Sequence, residues 1–90
     1  MNEKMFILYE ETEKTEIKYI SFVGASNSKF DLAIIHTGRF YGKNLVINIQ
    51  SGITAIIGKD DLEEPGFLEE AYQITEEEAK DLYDYLIQYY

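Results

Sequence analysis

Short connections between strand-like segments are the feature that most constrains the fold of this chain. Residues 1–59 hold five apolar segments separated by turns of two to seven residues. Parallel strands need crossovers of about a dozen or more residues, so these strands can pair only as an antiparallel meander. The segments are Met5–Glu10, Glu16–Gly24, Phe30–Thr37, Leu45–Gln50 and Ile53–Lys59.

The alternation of apolar and polar residues is clearest in the fourth segment. Three aliphatic residues of this segment alternate with three mostly polar ones. The aliphatic residues are Leu45, Ile47 and Ile49, and the other set is Val46, Asn48 and Gln50. In an antiparallel sheet with one solvated face, the pattern predicts that the aliphatic set points into the core. The next two residues, Ser51 and Gly52, suit a tight two-residue hairpin loop.

The last third of the chain changes from a strand pattern to a helical one. Asp60–Gly66 reads as an acidic loop, and Phe67–Gln73 as one or two helical turns. Thr75 followed by Glu78 forms a capping box, which predicts that a helix begins at Glu76 and runs to Gln88. We therefore expect an α+β fold in a single domain, residues 1–90. An antiparallel five-stranded β-meander (1–59) is followed by an acidic loop and a C-terminal α-helix packed on one face (60–90).

Charge is distributed unevenly along the chain. The formal net charge is −9, but residues 1–59 carry +1 and residues 60–90 carry −10. Such an acidic segment repels phosphates, so nucleic acid and anionic membranes are disfavoured as partners. No cysteine is present, which excludes disulfides and thiol chemistry. No apolar run approaches the roughly 20 residues of a membrane span, and we expect a cytoplasmic protein.

Both sides of most strand segments are apolar, which a small sheet with one helix cannot bury. A helix from Glu76 to Gln88 covers about half of one face of a five-stranded sheet. We therefore expect a homo-oligomer, with a C2 dimer favoured, in which a second copy covers the other face. The alternative is that residues 60–74 fold over that face.

The stretch Ile35–Asn44, where the third segment ends and the next loop begins, is the only place where site-like side chains gather. His36, Arg39 and Lys43 are three potential cations within eight residues, flanked by glycines. Such a loop could bind a phosphate or carboxylate, with Arg39 as a two-pronged donor. The alternative is a solvated hairpin loop whose charges complement the acidic third of the chain.

The predicted C-terminal helix offers a second candidate surface, for a protein partner. Exposed tyrosines beside acidic residues form a plausible contact patch, because tyrosine combines apolar area with a polar tip. The residues are Glu76, Glu77, Asp81, Asp84, Tyr85 and Tyr89. The alternative for the tyrosines is a helix rim packed on the subunit's own sheet.

Catalysis and metal binding find little support in the sequence. His36 is the single histidine, no serine lies in a nucleophile elbow, and no catalytic residue can be named. The acidic cluster around Asp60 and Asp61 lacks the spacing of a calcium loop, so we expect no metal and no cofactor. Enzymatic activity is not favoured.

Three stretches carry a resemblance to a known family. They are Phe6–Glu11, the stretch Ile35–Lys43, and Thr75–Ala79, which opens the predicted helix. The chain resembles a family of small, acidic, uncharacterised cytosolic proteins of Gram-positive bacteria, classed as a domain of unknown function. The resemblance implies a bacterial accessory role, with no activity, cofactor or catalytic residue attached.

Two functions remain on these grounds. The first is a non-enzymatic, oligomeric module for protein–protein interaction or regulation, whose acidic helix faces a basic partner surface. The second is a binder of a small phosphate- or carboxylate-bearing ligand through the loop from His36 to Lys43.

Overall fold

Four strands form an antiparallel meander in which each strand pairs with its neighbour in the sequence. The computed structural model describes residues 4–90. The strands are β1 (Ile17–Val23), β2 (Lys29–His36), β3 (Asn44–Asn48) and β4 (Thr54–Ile57). The antiparallel topology is as predicted, and β1 and β4 are the two edges of the sheet.

The prediction of a fifth strand over Met5–Glu10 is wrong for the single chain. These residues have no regular secondary structure, and β1 pairs only with β2. The apolar residues of the segment are exposed to solvent instead of joining the sheet. A strand is stable only with a partner strand, and no strand within residues 4–90 pairs with this segment.

Three helices follow the sheet, linked by short turns. They are α1 (Lys59–Leu62), α2 (Phe67–Tyr72) and α3 (Glu76–Leu86), with single 3-10 turns at Gly38–Phe40 and Ile87–Tyr89. The acidic loop therefore begins with a short helix, which Leu62 anchors in the core. The capping box of α3 is confirmed: the Glu78 amide donates to Thr75 Oγ1 at 3.2 Å, and the Thr75 amide donates to Glu78 Oε1 at 2.9 Å.

All three helices pack on the same face of the sheet, which we call the inner face. Leu62, Leu68 and Tyr72 belong to one buried cluster with the inward side chains of the strands and with Leu82 and Leu86 of α3. Residues 60–74 therefore thicken the cover of the inner face and leave the other face bare. The alternative that this segment covers the second face is wrong.

The orientation of β3 is opposite to the predicted one. Val46, Asn44 and Asn48 point inward and are buried, whereas Leu45 and Ile47 are only half-buried and Ile49 is exposed. Hydrogen bonds compensate the buried amides: the Gln50 amide donates to Asn48 Oδ1 at 3.2 Å. A buried asparagine with its partners satisfied is tolerated in a core.

The turn after β3 is also longer than predicted. Residues 49–53 connect β3 to β4, so the loop has five residues where two were expected. Gly52 has a φ of +79°, a left-handed conformation that glycine adopts without strain.

One close contact joins the turn between β1 and β2 to α3. Asp81 is 2% exposed, and its carboxylate accepts the Ser26 amide at 3.0 and 3.2 Å. Gly24 lies against the same side chain, so a Cβ there would be 2.3 Å from Asp81 Cγ. Only glycine permits this approach of helix and turn.

Candidate functional site

The three residues predicted to bind an anion do not converge on one cavity. Arg39 bonds Glu11, Lys43 bonds Asp61 of α1, and His36 bonds Asn44. The reason is local: His36 ends a strand, Arg39 lies in the following 3-10 turn, and Lys43 comes just before β3. Residues close in sequence therefore point in different directions.

Arg39 anchors the segment that precedes β1. Its guanidinium donates to Glu11 Oε1 at 2.8 Å and to the Tyr9 hydroxyl at 2.6 Å. The same guanidinium lies 5.8 Å from the centroid of the Tyr9 ring, a cation–π contact. The bond to Tyr9 is the main cause that raises the pKa of Arg39.

Further contacts fix the same segment to the end of β2. Thr37 Oγ1 donates to Glu13 Oε1 at 2.9 Å, and the Gly38 amide donates to Glu13 Oε2 at 3.4 Å. Thr15 Oγ1 donates to the carbonyl oxygen of His36. The path of the chain from Tyr9 to Thr15 is therefore set by polar contacts with the turn.

Lys43 faces the acidic helical layer. Its ammonium group lies 3.1 Å from Asp61 Oδ2 and 3.7 Å from Asp60 Oδ2. Hydrogen bonding to Asp61 is the main cause that raises the pKa of Lys43. This agrees with the alternative in which loop charges complement the acidic third of the chain.

A cavity of about 720 Å³ lies where the inner face meets the end of α3. Ile34 and the rings of Tyr89 and Tyr90 give it apolar walls, and polar groups from three parts of the chain reach it. The remaining lining residues are Glu16, Ile17, Lys18, His36, Gly42 and Asn44. The volume is within the range of about 300–1,000 Å³ typical of small-molecule sites.

A chain of hydrogen bonds orders the polar wall of this cavity. His36 Nδ1 lies 3.0 Å from Asn44 Oδ1, and Asn44 Nδ2 donates to the Tyr90 hydroxyl at 3.1 Å. The Tyr90 hydroxyl donates to the Ile57 carbonyl at 2.6 Å, and burial raises its pKa. The Asn44 Oδ1 atom can only accept a hydrogen bond. The geometry therefore favours the His36 tautomer that carries a proton on Nδ1.

Lys18 brings a positive charge to the cavity. Its ammonium group lies 4.9 Å from the centroid of the Tyr89 ring, and hydrogen bonding to Tyr89 raises its pKa. Tyr89 in turn packs edge-on against Tyr85 at 5.8 Å, and Tyr85 stacks on Phe22 at 4.8 Å. Tyr85 of α3 and Tyr89 of the following 3-10 turn therefore pack against β1 of the same chain.

The six residues predicted to bind a protein partner separate into two groups. Glu76, Glu77 and Asp84 lie exposed on α3, and Lys80 pairs with Asp84 at 3.5 Å. Asp81 is buried against the turn at Gly24, and Tyr85 and Tyr89 pack on β1 as described above. The acidic surface that remains accessible is therefore built by the exposed carboxylates.

The other side of the sheet, the outer face, is apolar and uncovered by any element within residues 4–90. Side chains alternate along each strand, so seven large apolar residues point away from the helices: Ile17, Tyr19, Val23, Ile35, Leu45, Ile47 and Ile56. Four of them are exposed, with Tyr19 at 70%. The charged strand residues on this face are Lys29 and Asp31, at one corner and of opposite sign.

Sequence reasoning did not identify Lys18, Asn44 or Tyr90 as lining a cavity. The one available signal was Asn44, a polar residue two positions before the inward-pointing Val46. Asn44 lines the cavity because β3 pairs with β2 and because the residues after α3 lie beside it. No local sequence pattern encodes either arrangement.

Residues 4–90 contain no group of three or more His, Cys, Asp or Glu side chains placed to hold a metal ion. Over the same residues, no helix has the length and apolar character needed to cross a membrane.

The fold and the sites define a small α+β module with one acidic helical layer and one bare apolar sheet face. The chain belongs to the SAV0927-like family, whose model matches residues 8–88. The family is small and uncharacterised, which confirms the resemblance at that level. Comparison with functionally curated proteins finds no match for this chain.

Proposed function

We propose that the protein is a non-enzymatic, self-associating interaction module of the cytoplasm, in which two copies pair through the outer face. The observation that carries this proposal is the outer face itself, where large aliphatic and aromatic side chains remain in water after the chain has folded. Contiguous exposed apolar surface of this kind is typical of protein interfaces.

The distribution of charge supports the same pairing. Residues 60–90 carry −10 and form the helical layer, so two copies that approached through their helices would repel each other. The outer face is the side of the sheet away from this layer, and its strand residues include one positive and one negative charge. Pairing through the outer face therefore keeps the two acidic layers far apart.

The test compares two tyrosine-to-lysine variants. Tyr19 lies on the outer face, and Tyr41 is 97% exposed on the turn before β3. Tyr19→Lys is expected to raise the dissociation constant of the dimer about tenfold or more, because a buried interface aromatic is replaced by a charge. Tyr41→Lys makes the same chemical change away from the face, and the dimer should be retained.

Molar mass measured by light scattering over a concentration series gives the result. Loss of the dimer in Tyr19→Lys alone supports the proposal. A monomeric wild-type chain at high micromolar concentration would overturn it, as would equal effects of the two substitutions.

In such a dimer the helical layers face outward and present the exposed acids of α3. We propose a basic protein surface as the external partner, because complementary charges accelerate the encounter. A lysine-rich peptide is a suitable probe, with the triple variant Glu76→Gln, Glu77→Gln and Asp84→Asn compared with wild type. Binding should fall in the triple variant and with added salt. Unchanged binding would contradict this role for α3.

The cavity supports a second candidate function, the binding of a small anionic ligand. It brings together His36 and the charged Lys18, whereas Arg39 and Lys43 lie elsewhere in salt bridges. Thermal unfolding with inorganic phosphate or acetate tests this function, and Lys18→Met serves as the matched variant. Stabilisation of the wild type but not of Lys18→Met would support it. Equal melting temperatures with and without anion would contradict it.

A further inference from the structure

The segment that was predicted to be the first strand is the most exposed apolar part of the molecule. Met5–Tyr9, which we call the arm, consists of five consecutive large apolar residues. Phe6 is 83% exposed and Leu8 is 94% exposed. A run of this kind in water is a template for pairing with another strand.

Contacts made by Tyr9, the last residue of the arm, and by Glu11 and Glu13 keep the arm away from its own sheet. Tyr9 and Glu11 are held by Arg39, and Glu13 is held by Thr37 and Gly38. These bonds fix the chain on the turn after β2, and the arm leaves this anchor with all five side chains exposed. The arm therefore has a defined starting point, and no apolar surface within residues 4–90 covers it.

Strand β1 provides an edge that could accept the arm. It pairs with β2 on one side, and no strand within residues 4–90 pairs with its other side. Natural edge strands are often protected by proline, bulges or several charges. In β1 the sequence is Ile-Lys-Tyr-Ile-Ser-Phe-Val, with Lys18 as its one charged residue.

We propose that the arm adds as a strand to the β1 edge of a second copy of this chain. The proposal rests on the self-association proposed above and names the segment that is exchanged. Strand addition satisfies the backbone hydrogen bonds of both the arm and the edge.

The apolar pattern of the arm matches both sides of the edge. In an added strand, Phe6 and Leu8 point to one side of the sheet, and Met5, Ile7 and Tyr9 point to the other. On β1, Ile17 and Tyr19 are available on the outer side, and Ile20 and Phe22 on the inner side. A strand that is apolar on both sides is therefore appropriate at this position.

The available area also favours exchange of the arm. A large aliphatic side chain offers roughly 60–120 Å² of apolar area. Somewhat under half of that area is exposed on average, so the seven apolar residues of the outer face offer about 200–400 Å². A standard interface buries about 800 Å² per partner, about 450 Å² of it apolar. The arm adds roughly 200–450 Å² of apolar area. Together with the outer face it offers about 400–850 Å², which is enough for the apolar part of a standard interface.

The absence of cysteine from the chain permits a direct test by cross-linking. Chains carrying Leu8→Cys are mixed with a second set of chains. Each chain of the second set carries one cysteine substitution, at a position between Ile17 and Val23. Directly opposed residues of adjacent strands lie close enough for a disulfide, whereas diagonal neighbours two residues away lie about 7–8 Å apart, so cross-linking should peak at one position of β1. Tyr41→Cys is the control and should not cross-link. Uniformly low cross-linking along β1 would overturn the proposal.

A backbone variant separates this proposal from self-association in general. Ile7→Pro removes an amide donor from the arm and disfavours strand pairing, but it lies outside the folded core. The dissociation constant of the dimer should rise about tenfold or more, with an unchanged circular dichroism spectrum. A dimer that is as tight as wild type overturns arm exchange and leaves pairing through the outer face intact. A monomeric wild type overturns both.

Discussion

The two faces of the sheet are built from the same four strands and have opposite surroundings. The inner face is covered by three helices, and its polar residues are satisfied, as Asn44 is by His36 and Tyr90. The outer face carries aliphatic residues of the same kind, such as Leu45 and Ile47, with no cover from residues 4–90. The difference shows that the apolar pattern of a strand does not by itself decide which side of the sheet the folded chain covers.

The largest difference between the faces should appear when a large side chain is truncated. Leu32 is fully buried on the inner face, so Leu32→Ala should cost about 3 kcal/mol of unfolding free energy. Ile56→Ala on the outer face should cost less than about 1 kcal/mol at low concentration, where the chain is monomeric. Urea denaturation measures both. Similar costs would contradict the assignment of the core to one face.

A second prediction concerns the contact between α3 and the turn at Gly24. Gly24→Ala should destabilise the fold by about 1–3 kcal/mol, because its Cβ would overlap the carboxylate of Asp81. In an Asp81→Gly background, which removes both the Cβ and the carboxyl group of residue 81, the same substitution should cost much less, although Asp81→Gly itself loses the bonds to Ser26. Denaturation of the four variants gives the coupling. Additive effects of the two substitutions on the unfolding free energy would contradict the close approach of Gly24 to Asp81.

A third prediction concerns the buried tyrosine of α2. The Tyr72 hydroxyl donates to the Val46 carbonyl at 2.7 Å, so Tyr72→Phe should cost about 1–2 kcal/mol at neutral pH. Burial raises the pKa of Tyr72 above its ordinary value near 10. The folded state therefore holds this proton more tightly than the unfolded state does.

The sign of the pH effect follows from that shift. The contribution is complete below about pH 10 and is lost as the pH rises above it, because the unfolded chain then ionises first. Wild type should lose stability more steeply than Tyr72→Phe when melting is followed from neutral pH to pH 11 or so. Parallel losses would contradict the burial of this hydroxyl.

The smallest effect is expected at the cap of α3. Thr75→Ala removes the side chain that accepts the Glu78 amide and should cost about 1 kcal/mol. Thr54→Ala, on the exposed outer face, is the matched control and should cost only a few tenths of a kcal/mol at low concentration. Thermal denaturation distinguishes them. An equal response would place the two threonines in equivalent surroundings.

Local patterns account for the parts of the fold that could be predicted from sequence. The capping box at Thr75 and the antiparallel meander depend on neighbouring residues and on loop length, and both are present. The predictions of a strand at Met5–Glu10 and of the orientation of β3 were wrong. Each depends on which surface packs against another part of the structure. Leu45 and Ile47, which the pattern placed in the core, lie half-buried on the outer face.

The candidate sites show the same limit. His36 was identified from sequence and lines the cavity, but Arg39 and Lys43 point to other partners because a strand end, a 3-10 turn and a loop orient them differently. Asp81 lies on a helix whose sequence suggests an exposed acid, yet the turn at Gly24 buries it. Contacts between distant segments decide both cases.

The central claim is that a second copy covers the outer face. Sedimentation equilibrium of the unmodified chain over the micromolar range tests it most directly. The account predicts a mass that rises with concentration to that of two chains, each of 10.5 kDa. A mass that stays at 10.5 kDa up to the highest concentration would contradict it.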